Sequence, residues 1–440
     1  MMPGIPMSGS SELQAETTPV CIASWEANYA TGGRARRTLA RPSQSRSKLP
    51  ILLAAFALTC QWGAVPFGPL QASDVLLAVM GATLLLRRCK FQRVPLALKI
   101  LLGAMAISTV VALVFPPSTS YLSSRVKLMQ PGGSLGRSAL DVGFLGPWAF
   151  LTKFALATLV SGSVVRACVR NSDTVFRLLR WWVAGACLSA IVAVLQARTG
   201  WTPVGDVSDV GLRARGLTPH PNTCAFWCVA TIPFLAVFYE RRHYWVWSAG
   251  ALTALWAGLL ATDSRSGLAT GLLATMMLPF LIWKAPRAAV TSVVGLLILL
   301  PIAGSAGVWL ANSTRLAGSE RSDVGRSMVY HQSILDFEQN PLFGLGLSKV
   351  SGAPSVPLSL LAGGGIVVCG AYSLFIVWLL GTQWRGRGNL FVRCSLSSTI
   401  VMLVVMTVQN TVLDRAQYVL PLLAVMSYRP RGGDFGVTDV

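Results

Sequence analysis

Charge is the scarcest commodity in this sequence. Only 12% of the 440 residues are charged, against about 25% in a soluble globular protein, which excludes an ordinary water-exposed fold. Acids are scarcer still, at 17 Asp and Glu against 37 Lys and Arg, for a net charge of +20. Nothing among them resembles an acidic motif for a divalent metal, so no metal and no cofactor is expected. Nine cysteines are present, most inside or beside apolar stretches and none in the longest loops. That placement argues against a disulfide framework. Cys224 and Cys228 sit at i, i+4 of an expected helix and read as buried packing. Histidine occurs three times, and no internal repeat is visible.

What the chain does have is apolar length. Mean hydropathy is +0.57. Apolar blocks of roughly 17–25 residues recur, with charges confined to the gaps. About 20 such residues cross a bilayer as a helix, and lipid leaves a lone backbone segment no alternative to the helix. The expected fold is an all-α polytopic integral membrane protein of about twelve transmembrane helices. The spans fall near 50–66, 70–86, 94–115, 143–164, 177–197, 222–239, 244–262, 266–283, 288–309, 356–381, 392–410 and 413–428. Residues 1–48 are polar and rich in Ser, Thr, Gly and Arg, as in a disordered basic cytoplasmic arm. Residues 49–428 form the membrane domain, and 429–440 a cytoplasmic tail.

The basic residues alternate. Clusters at 34–48, 87–93, 166–180, 241–242, 284–287, 385–387 and 429–431 flank the even-numbered gaps. Short loops with excess Lys and Arg stay inside, so both termini are expected in the cytoplasm, with the chain in the plasma (inner) membrane. Topology thus accounts for the basic balance, and no nucleic-acid partner is expected. On the opposite face one connection, 310–355, is long enough to suggest function. Within it Tyr330, Ile334 and Phe337 recur at i, i+4 and i+7, which predicts an amphipathic helix, stopped at Asn340-Pro341.

Several arginines run against the positive-inside tendency. Arg213, Arg215, Arg265, Arg315, Arg321 and Arg326 all fall on the outer face of this topology. A bound polyanion would explain them, because guanidinium meets phosphate oxygens bidentately. Staples to Asp206, Asp209, Glu320 or Asp323 are the alternative. In "RARGLTPHPNTCAF" (213–226), Gly216, Pro219 and Pro221 shape a turn and Asn222 is placed to cap the next helix. A helix start preceded by arginines is a ready anion pocket.

Three segments in this order carry a resemblance. Arg213-Ala-Arg-Gly216 is followed by Pro221-Asn222, then comes Ser264-Arg265-Ser266-Gly267, then a long outer loop with Arg326 and "NPLFGLG" (340–346). The set, with the span number, resembles the O-antigen ligase and polymerase superfamily across nearly all of 50–428. The resemblance implies a metal-independent glycosyltransferase outside the membrane. Its donor would be a polyprenyl-diphosphate-linked glycan, its acceptor a sugar hydroxyl on a glycan or lipid. The diphosphate gains charge as it leaves, and fixed cations stabilise it. Arg213, Arg215, Arg265 and Arg326 are the residues expected to bind it.

One position departs from the family. Its ligases carry a histidine shortly after the "GlG" segment, and here Pro354 occupies that position. Proline moves no proton, so the choice between ligase and polymerase stays open. His220, His331 and Asp414 are the candidate catalytic groups, while His243 falls on the cytoplasmic side. Asp263 and Asp336 are further outer carboxylates. Two other classes remain: a transporter of a small anion, suggested by the glycines 363–365 in a span, and a scaffold without transferase activity in a polysaccharide export machine.

Overall fold

The computed structural model describes residues 49–62, 66–67, 70–86, 94–116, 145–169, 172–201, 213–241, 244–283, 316–347, 355–409 and 416–427. All belong to one compact unit, Lys48–Val440. The expected arm 1–48, the tail 429–440 and the span 288–309 lie outside the described residues.

The described chain is helical. In order come α1 (Leu49–Thr59), α2 (Ala72–Leu86), α3 (Leu96–Val114), α4 (Leu145–Ala155), α5 (Ser161–Cys168) and α6 (Ser172–Thr199). Then follow α7 (Pro221–Thr231), α8 (Leu235–Tyr239), α9 (Trp245–Thr262), α10 (Arg265–Ile282), α11 (Leu316–Gln339), α12 (Val356–Arg385), α13 (Leu390–Met406) and α14 (Ala416–Ser427). A π segment, Leu156–Val160, joins α4 to α5, and a 3-10 turn, Ile232–Phe234, joins α7 to α8. Among the described residues the only strands are Pro66–Phe67 and Leu70–Gln71, paired as a two-residue ladder. Seven helical stretches are long and apolar enough to cross a membrane, and four shorter apolar helices accompany them. This is a helical membrane protein.

The bundle is closed by packing across sequence-distant helices. α6 lies against α1, α7 and α9, while α12 lies against α3, α11 and α13. Trp182 of α6 and Trp227 of α7 meet edge-to-face at 6.1 Å in the core. A Cβ on Gly258 of α9 would stand 2.8 Å from the Ala190 Cα of α6. Lipid offers no hydrophobic drive between helices, so such small residues let backbones approach. Polar links cross the bundle too. Ser398 Oγ donates to Ala230 O at 2.7 Å, and Gln383 Nε2 reaches Ser395 Oγ at 2.9 Å. Ile51, Leu86, Leu96, Leu374 and Val377 stay exposed, as side chains facing acyl chains would.

The bundle has two distinguishable poles. At one, Arg241 approaches Asp173 at 3.9 Å and covers the Phe176 ring at 3.8 Å. The starts of α6, α9 and α13 and the ends of α8, α10 and α12 gather there, with Arg166, Arg177, Arg180, Arg385 and Arg387. At the other lie the ends of α6, α9 and α13 and the starts of α7, α10 and α12.

α12 is broken. Gly365 has φ 65° and ψ −169° inside it, a conformation almost confined to glycine. The break frees backbone groups, and the chain itself takes them. Leu345 N donates to Ala362 O and Gly346 N to Gly363 O, both at 2.9 Å. In return Ile366 N reaches Pro341 O at 2.9 Å and Val367 N reaches Leu342 O at 3.2 Å. Ser108 Oγ of α3 fixes the same segment by donating to Phe343 O at 2.7 Å. The motif "NPLFGLG" therefore dips into the bundle and repairs a helix break. Irregular backbone is tolerated at membrane depth when protein buries it in this way.

Candidate functional site

The second pole carries the site, and its geometry begins with α6. Gln196, 7% exposed, sits one turn from the end of that helix. Its Oε1 accepts from Arg215 N (3.0 Å) and Gly216 N (2.8 Å), and its Nε2 donates to Gly216 O (3.0 Å). Ser189 Oγ accepts from Leu217 N at 3.1 Å. Gly216 has φ +58°, and a Cβ there would collide with Ser189 O. The turn Arg213–Gly216 is thus clamped to α6 by backbone, with no room for a side chain at its centre.

From that clamp Arg213 reaches across the mouth. Its Nε donates to Thr262 O (3.2 Å), and its Nη2 donates to Asp263 O (3.2 Å) and Asn222 Oδ1 (2.8 Å). Thr262 and Asp263 close α9, where carbonyls lack intrahelical partners and the helix dipole is negative. One guanidinium therefore ties the turn, the end of α9 and the start of α7 together. It is a staple, and its acceptors are carbonyl and amide oxygens. The expected partners Asp206 and Asp209, and the side chains of Glu320 and Asp323, lie outside the described set.

Two residues turn the chain from α9 into α10. Asp263 adopts the left-handed conformation, φ 48° and ψ 44°. Ser264 then caps α10, accepting from Gly267 N at 3.3 Å. Arg265 is the first residue of α10 and is exposed. The short turn from α9 into α10 explains why "DSRSG" can interrupt two apolar runs. Asp263 N–H closes α9 by donating to Leu260 O and Ser264 Oγ opens α10, while the exposed Arg265 stands at the helix start.

The α7 cap differs from expectation. His220, not Asn222, holds the N-cap position: its Nδ1 accepts from Asn222 N at 3.1 Å. Pro221 at the first helical position has no N–H to cap, which moves the bond to Asn222 N. Asn222 instead accepts from Arg213. The His220 imidazole is exposed, and its Nδ1 lone pair serves the helix, which leaves that nitrogen no proton to collect. The Gln409 amide, beyond the end of α13, bridges Asn222 O and Thr223 N at 3.3 Å each. The connection that contains Asp414 starts at this point, although Asp414 itself lies outside the described residues, as does Pro354.

The expected helix at 330–339 is present in α11, and the structure decides which of its faces is buried. Tyr330, Ile334 and Phe337 do not form its buried stripe: Ile334 is 46% exposed and the other two are half-buried. Gln332, Ser333 and Asp336 are buried instead, Asp336 completely. Gln332 Nε2 donates to Asp336 Oδ1 at 3.0 Å. The helix packs on α12. A soluble helix hides its apolar side, whereas one lying on a membrane protein can turn apolar groups to lipid and polar groups to protein. His331 is exposed. Arg326 lies on α11, with its side chain outside the described set. Among the described residues no three His, Cys, Asp or Glu side chains gather as a metal site.

The structure thus brings the segments of Arg213 and Arg265 to one mouth and anchors the Arg215 backbone beside them. Sequence reasoning missed Gln196 and Gln409. The available signal was a glutamine near the terminus of an otherwise apolar helix. Asp336 was visible as a carboxylate of the long connection, but its burial followed only from the packing of α11. Neither the comparison with protein-family models nor that with curated proteins returns a match.

Proposed function

We propose that the chain transfers a polyprenyl-diphosphate-linked oligosaccharide to a sugar hydroxyl on the outer face of the membrane, as a polysaccharide polymerase or ligase. The observation that carries this reading is the Arg213 staple, which unites the "RARG" turn with the "SRSG" helix start at one mouth. Two helix N-termini, those of α7 and α10, adjoin it, and their dipoles favour an anion. In this reading Arg213 positions the mouth, and Arg265, with Arg215, meets the diphosphate. Arg326 joins from α11, and α11 covers the acceptor groove.

The topology accompanying this reading has about twelve spans and cytoplasmic termini. Seven described stretches long and apolar enough to cross a membrane, with four shorter apolar helices, support it; the expected span 288–309 lies outside the described residues. The arginine-rich pole would face the cytoplasm, in line with the positive-inside tendency. The broken α12, which in isolation would favour a transporter, has its gap filled by residues 341–346. That occupancy favours the transfer reading over transport.

The test is Arg265→Ala at matched protein abundance, read as glycan chain length in cells. Shortened or absent chains are expected. Wild-type chain length would overturn the transfer reading and favour a scaffold. Removal of the gene separates the two enzyme types: single repeat units left on the carrier mean a polymerase, and full-length chains mean a ligase.

A further inference from the structure

The basic pole holds a cavity of about 610 Å³ that the transfer reading does not use. Four helix ends build it. Tyr239 and Glu240 come from the end of α8, Trp245 from the start of α9, Trp283 from the end of α10 and Arg393 from the first turn of α13. Tyr239 and Trp283 meet edge-to-face at 5.8 Å. Trp245 is 59% exposed and Tyr239 39%, so the cavity opens at an aromatic rim.

Among the described residues its lining carries one charge of each sign. Glu240 and Arg393 line the same space, yet they form no ion pair within 4.0 Å. Arg393 Nε is buried and has no hydrogen-bond partner in the protein. A carboxylate and a guanidinium held apart in one cavity that aromatic side chains also line complement a molecule that carries both signs.

We infer that this cavity seats the headgroup of a zwitterionic phospho-amine lipid of the adjoining leaflet. Its phosphate faces Arg393, where guanidinium offers charge-assisted donors and the unsatisfied Nε gains an acceptor. Its ammonium faces Glu240 and the aromatic rings, which attract cations through their π-faces. Trp and Tyr favour the depth at which headgroups lie. Val246, beside Trp245, is 60% exposed and offers an apolar flank for the acyl chains. A lipid with an anionic, amine-free headgroup would satisfy Arg393 but leave Glu240 facing negative charge. The site lies at the pole opposite the arginine mouth, so it stands or falls independently of glycan transfer.

The experiment uses the full-length protein in detergent. Phosphatidylethanolamine and phosphatidylglycerol with matched acyl chains compete at equal concentration, and native mass spectrometry counts the adducts. The wild type is expected to favour the ethanolamine lipid about five-fold, the ratio that one exposed cation–π or charge contact supplies. Glu240→Gln should lower the ratio, and Arg393→Gln should reduce adducts of both lipids. Soluble phosphoethanolamine at the same concentration should displace neither. A wild-type ratio near one overturns the inference without any variant. Unchanged adducts in Arg393→Gln, or displacement by soluble phosphoethanolamine, overturns it as well.

Discussion

Replacing Gly365 with alanine isolates the break in α12 from everything else in the bundle. The added methyl would land inside contact distance of Leu342 O and C, both part of the inserted segment. It would also have to occupy φ 65°, ψ −169°, which costs a residue with a Cβ about 1–3 kcal/mol. Overpacking against fixed backbone adds about 1–3 kcal/mol. The two contributions sum to about 2–6 kcal/mol, a large part of a total stability of about 5–15 kcal/mol. Relief by backbone movement would stretch Ile366 N to Pro341 O and Val367 N to Leu342 O, so the loss would only change its form. Gly370, five residues along the same helix, is the control. A Cβ there meets nothing within 4 Å, and alanine in a helix is favoured by about 0.5–1 kcal/mol. Thermal denaturation in detergent, followed by size-exclusion of the soluble fraction, compares them. Gly365→Ala should melt at least about 2 °C below the wild type, and Gly370→Ala at or above it. Equal melting of Gly365→Ala and the wild type would refute the filled-break account.

Gly216→Ala should lower thermal stability as well, because its Cβ would strike Ser189 O and release the arginine turn from Gln196; retention of the wild-type melting temperature would contradict the clamp. Ser398→Ala removes a 2.7 Å bond between α13 and α7, and such bonds average about 0.6 kcal/mol in membranes, so reversible unfolding in mixed micelles should show a loss of that order rather than several kcal/mol. The buried polar face of α11 is tested by an impermeant maleimide on intact cells. His331→Cys should label well above the wild-type background and Ser333→Cys should not; equal labelling would mean that Ser333 is not buried.

Much of the helical scaffold could be read in one dimension, because lipid imposes a one-dimensional rule. A crossing helix needs about 20 apolar residues and tolerates charge mainly at its ends. The positions of α3, α6, α9, α10 and α12 follow from that rule alone. The stop of α11 at Asn340-Pro341 follows from proline's inability to continue a helix, and the arginines of "RARG" and "SRSG" stand out as exceptions to the positive-inside tendency. The candidate site was legible as composition: which residues could hold an anion, and in which connections they lie.

Roles within the site depended on partners far away in sequence. Arg213 reads the same whether it holds a phosphate or ends a helix, until Thr262 O and Asp263 O come within reach of it. The triple glycine reads as a broken helix in either a transporter or a filled bundle, until residues 341–346 are seen to occupy the gap. The stripe on α11 fits burial or lipid contact equally well, since periodicity marks a face without naming its neighbour. Apolar length is a property of each segment and survives in the sequence. Hydrogen-bond partnership belongs to pairs of segments, and only packing in three dimensions selects the pair.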